Sequence, residues 1–159
     1  MTLPSMNENS GPFPSVASVL PHRPPFLFIE RVVELSEDRI VAVRTFQEGE
    51  PFFLGHFPDR PVVPAVVLIE GLAQAMAYHS LFHRPSRQIF LVGVDHARFR
   101  SPVGLGVEVI FDVRVGKQRF GMLKGRGEVR AVTRNVASAI LLGYAAAPDG
   151  NPVVPGAGS

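Results

Sequence analysis

The sequence predicts an α+β domain in which one long central helix is wrapped by an antiparallel sheet of about six strands. Two observations predict this fold class. One segment alone has the length and the nearly continuous apolar surface of a long buried helix, and several other segments alternate apolar and polar side chains. A sheet with one apolar face can cover such a helix, so a single core satisfies both patterns.

The helix is predicted to begin at Pro64, a residue suited to a first helical turn, and to run to about Phe82. Its apolar residues cover most of the circumference instead of one stripe, which is typical of a helix buried on most sides. One six-stranded sheet is expected to leave part of this surface open. We therefore predict a homodimer, with a trimer of dimers as the larger alternative, in which two helices lie side by side under a continuous sheet.

The strands are predicted from alternation with a period of two. In residues 107–115, valine or phenylalanine occupies every second position, and most of the others are charged. Residues 122–131 place charged side chains on one face and small residues on the other, so a bulky element can approach the small face closely. The predicted strands span residues 26–35, 39–46, 89–99, 107–115, 122–131 and 136–145, and the first two form a hairpin across residues 36–38.

Three segments are predicted along the chain. Residues 1–14 are expected to be a flexible arm, residues 15–147 the folded domain, and residues 148–159 a flexible tail. Both ends are dense in Pro, Gly, Ser and Asn, which disfavour packed structure. The arm also lacks the basic-then-apolar layout of a secretory signal.

Composition argues against several functions. The chain has no cysteine, which excludes disulfides, thiolate catalysis and cysteine-ligated zinc. The apolar run 66–82 is interrupted by Glu70, Gln74 and His79, so we predict no membrane span and a cytoplasmic location. His79 and His83 have helical spacing, but no third ligand accompanies them, and we predict neither a metal nor a cofactor.

The charge is unevenly distributed. Residues 84–134 contain eleven Lys/Arg and four Asp/Glu, a balance of +7, whereas the rest of the chain is −5. Such a basic stretch suits an acidic partner, and it is equally compatible with a solvated face of arginine-rich strands. No helix-turn-helix, zinc or RNA-binding pattern accompanies it, so nucleic acid is not a predicted partner.

Two side chains near the start of the helix are candidates for acid–base chemistry. Glu70 has apolar or uncharged neighbours at helical spacing, and a carboxylate there is costly to bury unless it is paired or protonated, as a general acid is. His56 lies in a loop shaped by Gly55, Phe57 and Pro58. Each has a plain structural alternative: Glu70 can sit at an exposed helix edge, and a lone histidine is more often structural than catalytic.

The helix N-terminus adds a third element. Pro61 and Pro64 restrict the link that leads to it, and its first N–H groups and positive dipole end can bind a negative charge. A thioester carbonyl placed there would have its developing enolate stabilised. A base, an acid and an oxyanion donor thus fall within fifteen residues of one another.

Four stretches form a recognisable set: LPHRPPFL at 20–27, EPFFLGHFP at 50–58, PVVPAVVLIEGLAQA at 61–75 and VDHARFRSPV at 94–103. With them, about residues 19–147 resemble the (3R)-hydroxyacyl-acyl carrier protein dehydratases of fatty acid synthesis, of the FabZ and FabA kind. The fourteen-residue step from His56 to Glu70 across a proline-rich link is the most specific feature, and a Glu at position 70 is closer to the FabZ branch. The resemblance implies the hotdog fold, which agrees with the helix and sheet predicted above.

The resemblance also implies a role for each site residue. His56 would abstract the α-proton of the substrate, and Glu70 would help to protonate the departing 3-hydroxyl group, directly or through water. In this family the His and the Glu of one site come from different subunits of a dimer. The N–H of Ala65 would bind the thioester carbonyl, and Gln74 would orient Glu70 by a hydrogen bond. The predicted substrate-binding residues are Ala65, Val66, Gln74, Gly55 and Phe57, and the predicted partner is an acyl carrier protein that carries the acyl substrate.

Some features lie outside this pattern. Ala65 stands where the family usually has Gly, which adds a methyl group and narrows the backbone conformations available. His22 and His96 lie in matching stretches without an evident acid–base partner in sequence, so structural roles are expected for both. Two other functions stay open: an acyl thioesterase, which would not need His56 in this loop, and a non-catalytic hotdog subunit that binds acyl carrier protein.

Overall fold

The computed structural model of the protein describes residues 11–85 and 88–147. Within these residues one long helix and six strands form an α+β domain, so the predicted fold class is confirmed. The elements, in chain order, are α1 (Val16–Val19), β1 (Arg31–Leu35), β2 (Arg39–Thr45), a 3-10 turn (Pro51–Leu54), α2 (Ala65–His83), β3 (Gln88–Phe99), β4 (Glu108–Val115), β5 (Met122–Ala131) and β6 (Arg134–Ala146).

The strands of the described residues form one open antiparallel sheet with the order β1-β2-β4-β5-β6-β3. β1 and β2 form the predicted hairpin, and β3 pairs with β6, so β1 and β3 are the two edges. The helix α2 begins one residue later than predicted, because Pro64 is its N-cap residue. The short α1 helix and the 3-10 turn were not predicted, since each is only four residues long.

The helix α2 packs on the face of the sheet that carries the small residues. Gly127 of β5 lies under Leu72, and a Cβ atom at Gly127 would be only 2.8 Å from Cδ1 of that leucine. On the helix side, Gly71 presses directly on the ring of Phe111 in β4. Because neither glycine leaves space for a side chain, these contacts fix how close α2 lies to the sheet.

The N-terminal segment covers a part of α2 that the sheet leaves open. The Tyr78 hydroxyl donates a hydrogen bond to Pro14 O at 2.7 Å, and the Gln74 side chain bonds to the backbone of Phe26 and Phe28. As a result, thirteen residues of α2 are buried within a single chain. The segment contributes the buried apolar residues Val16, Leu20, Leu27, Phe28 and Ile29.

One prediction about this region is wrong. The first strand begins at Arg31 and not at Phe26, because a side chain of α2 binds the backbone of residues 26–28 where a neighbouring strand would otherwise bind it. The N-terminal segment covers part of α2 within a single chain, so the apolar surface of α2 alone does not establish a second helix beside it, and the homodimer stays a prediction. On the helix itself, the large apolar side chains that stay exposed are Val66 and Phe82.

The predicted arm and tail fall mostly on residues 1–10 and 148–159, which lie outside the described part of the chain. Within the described part, Phe13 packs against the core and Pro14 accepts the Tyr78 hydrogen bond. Residues ahead of the predicted start at Ser15 therefore already contact the domain.

The helix α2 has the length and mean hydropathy of a membrane span, but 72% of its most apolar window is buried inside the domain. Sheet and N-terminal segment surround it, as expected for a helix that is apolar on nearly all sides. We conclude that α2 is the core helix of the domain.

A Gly71→Ala substitution tests the contact between α2 and Phe111. Overpacking of this kind costs about 1–3 kcal/mol, which exceeds the gain of about 0.8–1 kcal/mol from replacing a helical glycine. We expect a net loss in the free energy of unfolding, measured by urea denaturation. Gly104→Ala is the control, because an added methyl there meets nothing within 4 Å. A Gly71→Ala variant as stable as the wild type would contradict the close approach.

Candidate active site

His56 lies in the loop between the 3-10 turn and α2. Its backbone N–H donates to Phe52 O at 3.0 Å, and its carbonyl accepts from the N–H of Val62 at 3.1 Å. Phe57 and Arg60 exchange two further hydrogen bonds, at 3.2 and 3.1 Å, and the peptide bond between His56 and Phe57 is cis. The loop is therefore held by its own backbone on both sides of the histidine.

The imidazole of His56 is half-buried and is oriented by one hydrogen bond, since its Nδ1 lies 2.9 Å from Val62 O. A carbonyl oxygen can only accept, so Nδ1 carries the proton and Nε2 is the free, basic nitrogen of the neutral ring. The Phe57 ring stacks on the imidazole with centroids 4.1 Å apart. The imidazole thus has a fixed ring orientation and tautomer, and its Nε2 is available to accept a proton.

The N-terminus of α2 follows this loop. Ala65 and Val66 are the first two helical residues, and the N–H of Val67 donates to Pro64 O at 2.9 Å. The first N–H groups of a helix have no intrahelical acceptor, so those of Ala65 and Val66 can bind an anion. Ala65 does not have a positive φ angle, so its methyl group causes no backbone strain at this position.

Glu70 lies in the second turn of α2, and its side chain is 23% exposed. The Nε2 of Gln74 donates to Oε1 of Glu70 at 3.1 Å. Gln74 is itself fully buried, and its amide also accepts from Phe28 N–H at 2.8 Å and donates to Phe26 O at 3.2 Å. One buried amide therefore ties the Glu70 carboxyl to the N-terminal segment.

A second histidine, His22, stands beside Glu70 and was not predicted as a site residue. Its Nε2 lies 3.8 Å from Oε1 of Glu70, and its buried Nδ1 has no hydrogen-bond partner within the described residues. No acid–base partner is near His22 in sequence, and its place in the LPHRPPFL stretch was the one available signal. The cavity at this point is lined by His22, Glu70, Ala73, Gln74, Met76, Ala77, Ile89 and Leu91.

His56 and Glu70 do not contact each other within one chain. In residues 11–85 and 88–147 no hydrogen bond or ion pair joins them, and His56 does not line the cavity that contains Glu70. The surface around His56 is instead apolar and open, with Leu54, Phe57 and Val66 exposed by 84%, 53% and 73%. Gly55 is exposed beside them.

His79 and His83 share one backbone acceptor. Their Nε2 atoms lie 2.9 and 3.2 Å from Ser36 O, so both nitrogens carry protons and are turned away from metal ligation. Burial lowers the pKa of His79, which keeps its ring neutral at pH 7. In the part of the chain that the structure describes, no group of three or more His, Cys, Asp or Glu is placed to hold a metal ion.

An open antiparallel sheet wrapped around one helix, with an oriented histidine just before that helix and a carboxylate in its second turn, defines a hotdog-fold enzyme site. A FabA-like domain is recognised over residues 20–140. The chain therefore belongs to the FabA-like family.

Curated relatives are similar to this chain over most of its length. Three of them are each called 3-hydroxyacyl-acyl-carrier-protein dehydratase FabZ, and each is 41% identical to this chain. That of Paracidovorax citrulli aligns over 121 residues, 72% of this chain and 83% of the relative. The relative from Anaeromyxobacter sp. strain K aligns over 130 residues, which are 78% of this chain and 83% of the relative. The relative from Thermotoga petrophila aligns over 127 residues, which are 80% of this chain and 92% of the relative.

Solved structures share the fold with less sequence similarity. The dehydratase heterocomplex ApeI:P from Xenorhabdus doucetiae has a TM-score of 0.73 at 22% identity and covers 81% of this chain and 89% of its own. A hypothetical thioesterase with coenzyme A from Streptococcus pneumoniae has a TM-score of 0.57 at 8% identity, covering 74% and 85%. Since a dehydratase and a thioesterase have the same fold, architecture alone does not separate the two reactions, and the sequence relatives decide for dehydration.

A Gln74→Met substitution tests the buried amide. Methionine fills a similar volume but leaves the buried Phe28 N–H without its acceptor, and an unsatisfied buried group costs about 1–3 kcal/mol. We expect a loss of that size in the free energy of unfolding, measured in urea. Gln47→Met is the control, because Gln47 is exposed. Equal stability of the two variants would show that the Gln74 hydrogen bonds contribute little.

Proposed function

We propose that the enzyme converts (3R)-3-hydroxyacyl thioesters, carried on acyl carrier protein, into trans-2-enoyl thioesters and water, in the fatty acid biosynthesis of the cytoplasm. The observation that carries the proposal is the orientation of His56, whose Nδ1 donates to Val62 O at 2.9 Å and leaves Nε2 free. Removal of an α-proton requires a base of this kind. The names of the 41% identical relatives give the same substrate class.

The reaction follows from the residues of the site. Nε2 of His56 takes the proton from Cα, and negative charge develops on the thioester oxygen, where the N–H groups of Ala65 and Val66 stabilise it. The Cα–Cβ double bond forms as the Cβ–O bond breaks. Glu70 supplies the proton with which the 3-hydroxyl group leaves as water, while Gln74 orients its carboxyl group.

A homodimer is the assembly in which we expect this site to be complete, with a trimer of dimers as a larger form. The edge strand β3 is twelve residues long, and Leu91, Val94 and Phe99 on it are exposed. Long apolar edge strands are normally covered in native proteins. Pairing of β3 with the β3 strand of a second chain would cover both edges. The apolar surface around His56 would then meet the second chain, so that His56 of one subunit can serve Glu70 of the other.

Mixed dimers test both the roles and the assembly. His56→Ala and Glu70→Gln should each lower the dehydration rate by about 10²–10⁴-fold. A heterodimer of the two variants keeps one intact site if the pair spans two chains, so random mixing of equal amounts should restore about a quarter of wild-type activity. Formation of enoyl thioester from 3-hydroxybutyryl thioester is the measurement.

The controls separate the competing functions. His83→Ala removes a histidine that bonds only to Ser36 O and should leave turnover unchanged. Release of free thiol by the wild type would indicate a thioesterase, and no reaction at all a binding subunit. A His56→Ala variant that keeps more than half of wild-type turnover would refute the assignment of the base.

We further infer that acyl carrier protein docks on the tip of the β4–β5 hairpin. Within the described residues, Lys117 and Arg119 make no ion pair, and Phe120 between strands is fully exposed. An exposed aromatic ring among free cations suits an acidic protein with an apolar spot. We call this the hairpin basic surface, and it consists of Arg84, Lys117, Arg119, Phe120 and Lys124.

The hairpin basic surface is connected to the cavity that contains Glu70. Gly121 O accepts a hydrogen bond from Ala145 N–H at 2.8 Å, and Ala145 pairs with Ile89, which lines the cavity. Two other cations of the basic stretch are in ion pairs, Arg130 with Asp112 at 3.2 Å and Arg114 with Asp38 at 3.8 Å. The proposal therefore places the docking surface at the hairpin end of the sheet.

Charge reversal tests this surface. A Lys117→Glu/Arg119→Glu variant should raise the KM for carrier-bound substrate and leave the rate on an N-acetylcysteamine thioester nearly unchanged, because long-range attraction acts only on the carrier. The effect should shrink as salt rises. Arg134→Glu, at the first residue of β6, is the control. If turnover of both substrates is impaired equally, or if Arg134→Glu has the same effect as the double reversal, the docking surface is not at the hairpin.

A further inference from the structure

A buried ion pair lies behind the His56 loop and plays no part in the chemistry described so far. Arg44, at the end of β2, pairs through Nη2 with Oε1 of Glu50. The two side chains are only 10% and 11% exposed. The Arg44 guanidinium also lies over the ring of Phe46, 5.4 Å from its centroid.

Glu50 leads directly into the 3-10 turn that precedes His56. Its carbonyl accepts from the N–H of Phe53 at 3.0 Å, which begins the turn. Phe52 in the same turn then accepts the His56 N–H at 3.0 Å. The ion pair therefore fixes one end of a short path of backbone hydrogen bonds whose other end is the N–H of His56.

Aromatic packing holds the same turn from the side of the sheet. The ring of Phe52 contacts those of Phe46 and Phe28, with centroids 6.0 and 6.3 Å away. Since Arg44 stacks on Phe46, its charge and the aromatic cluster act on the turn together. Phe28, in turn, is bound by Gln74, so the cluster joins the His56 loop to the segment that holds Glu70.

Energetics make a purely stabilising role a poor account of this pair. Removing two charges from water is costly, and apolar residues of similar volume often replace a buried ion pair with no loss of stability. What apolar residues do not supply is a directed bond that sets one arrangement. Such a bond matters at this place, because a shift of about 1 Å in a catalytic group can cost about 10²-fold in rate.

We propose that Arg44 and Glu50 are positioning residues for His56, whose ion pair holds the 3-10 turn so that the imidazole faces the substrate. The inference rests on the proposed role of His56 as the base. According to the proposal, the ion pair of Arg44 at the end of β2 helps to orient His56, in addition to the hydrogen bond between Nδ1 and Val62 O.

Four variants of the dimeric enzyme test the proposal. Arg44→Met leaves Glu50 buried without its partner, whereas Arg44→Met/Glu50→Met removes both charges and keeps the volume apolar. Arg44→Lys keeps the charge. The control is Arg39→Met/Asp112→Met, which removes another partly buried arginine–carboxylate ion pair, 2.8 Å long, from the outer face of the sheet.

The measurements are kcat and KM, at a temperature where urea denaturation shows each variant to be folded. The double apolar variant at Arg44 and Glu50 should lose at least tenfold in kcat with KM nearly unchanged. Arg44→Lys should recover most of kcat. The control at Arg39 and Asp112 should keep wild-type kcat even if it is less stable.

A second measurement does not depend on turnover. In protein labelled with ¹⁵N-histidine, the imidazole signals of His56, assigned with His56→Gln, report the Nδ1–H bond to Val62 O. They should change in the double apolar variant and stay unchanged in the control. Wild-type kcat together with an unchanged His56 spectrum in the double apolar variant would overturn the proposal. A wild type without dehydratase activity would instead refute the proposed function, and the spectra would still show whether the ion pair orients His56.

Discussion

Burial of α2 is the constraint on which the rest of the structure depends. Thirteen of its residues are enclosed within one chain, and this requires a sheet without side chains where the helix lies closest. β5 meets that requirement with Gly125 and Gly127, which lie under Met76 and Leu72. On the helix side, Gly71 packs directly against the ring of Phe111. Because interiors are close-packed, the position of the helix is fixed to a fraction of an ångström, and Glu70, next to Gly71, is fixed with it.

An enclosed helix leaves little room for polar groups, and the larger ones on α2 have definite partners. Gln74 satisfies the backbone of the N-terminal segment and the Glu70 carboxyl group with a single amide. Tyr78 bonds to Pro14 O, and burial raises the pKa of its hydroxyl to about 12, so it remains a neutral donor. These polar contacts, rather than the apolar ones, decide which segment covers the open side of α2.

The sequence predicts most of this fold because alternation and helix length are local signals. The strands β3 to β6 and the helix α2 lie within a few residues of their predicted limits. Residues 26–30 were assigned to a strand because their apolar pattern does not reveal that Gln74, 46 residues beyond Phe28, would take its N–H. His22 was not predicted as a site residue for the same reason, because Glu70 is close to it in space but distant in sequence. His56 and Glu70 could be predicted together because a short motif contains both, and their pairing stays a prediction.

The division of the site between two structural units follows from these contacts. Glu70 belongs to the rigid core, tied to Gln74 and enclosed by the sheet. His56 belongs to a surface loop that its own backbone, the Arg44–Glu50 ion pair and the phenylalanine cluster hold in place. The proposed dehydration needs both groups on one substrate, yet within the described residues no hydrogen bond or ion pair joins His56 and Glu70 of one chain. The His56 loop and the Glu70 side chain are each held firmly, and the surface around His56 is apolar and exposed. These features suit an assembly in which a second copy of the chain supplies the other group of the proposed pair.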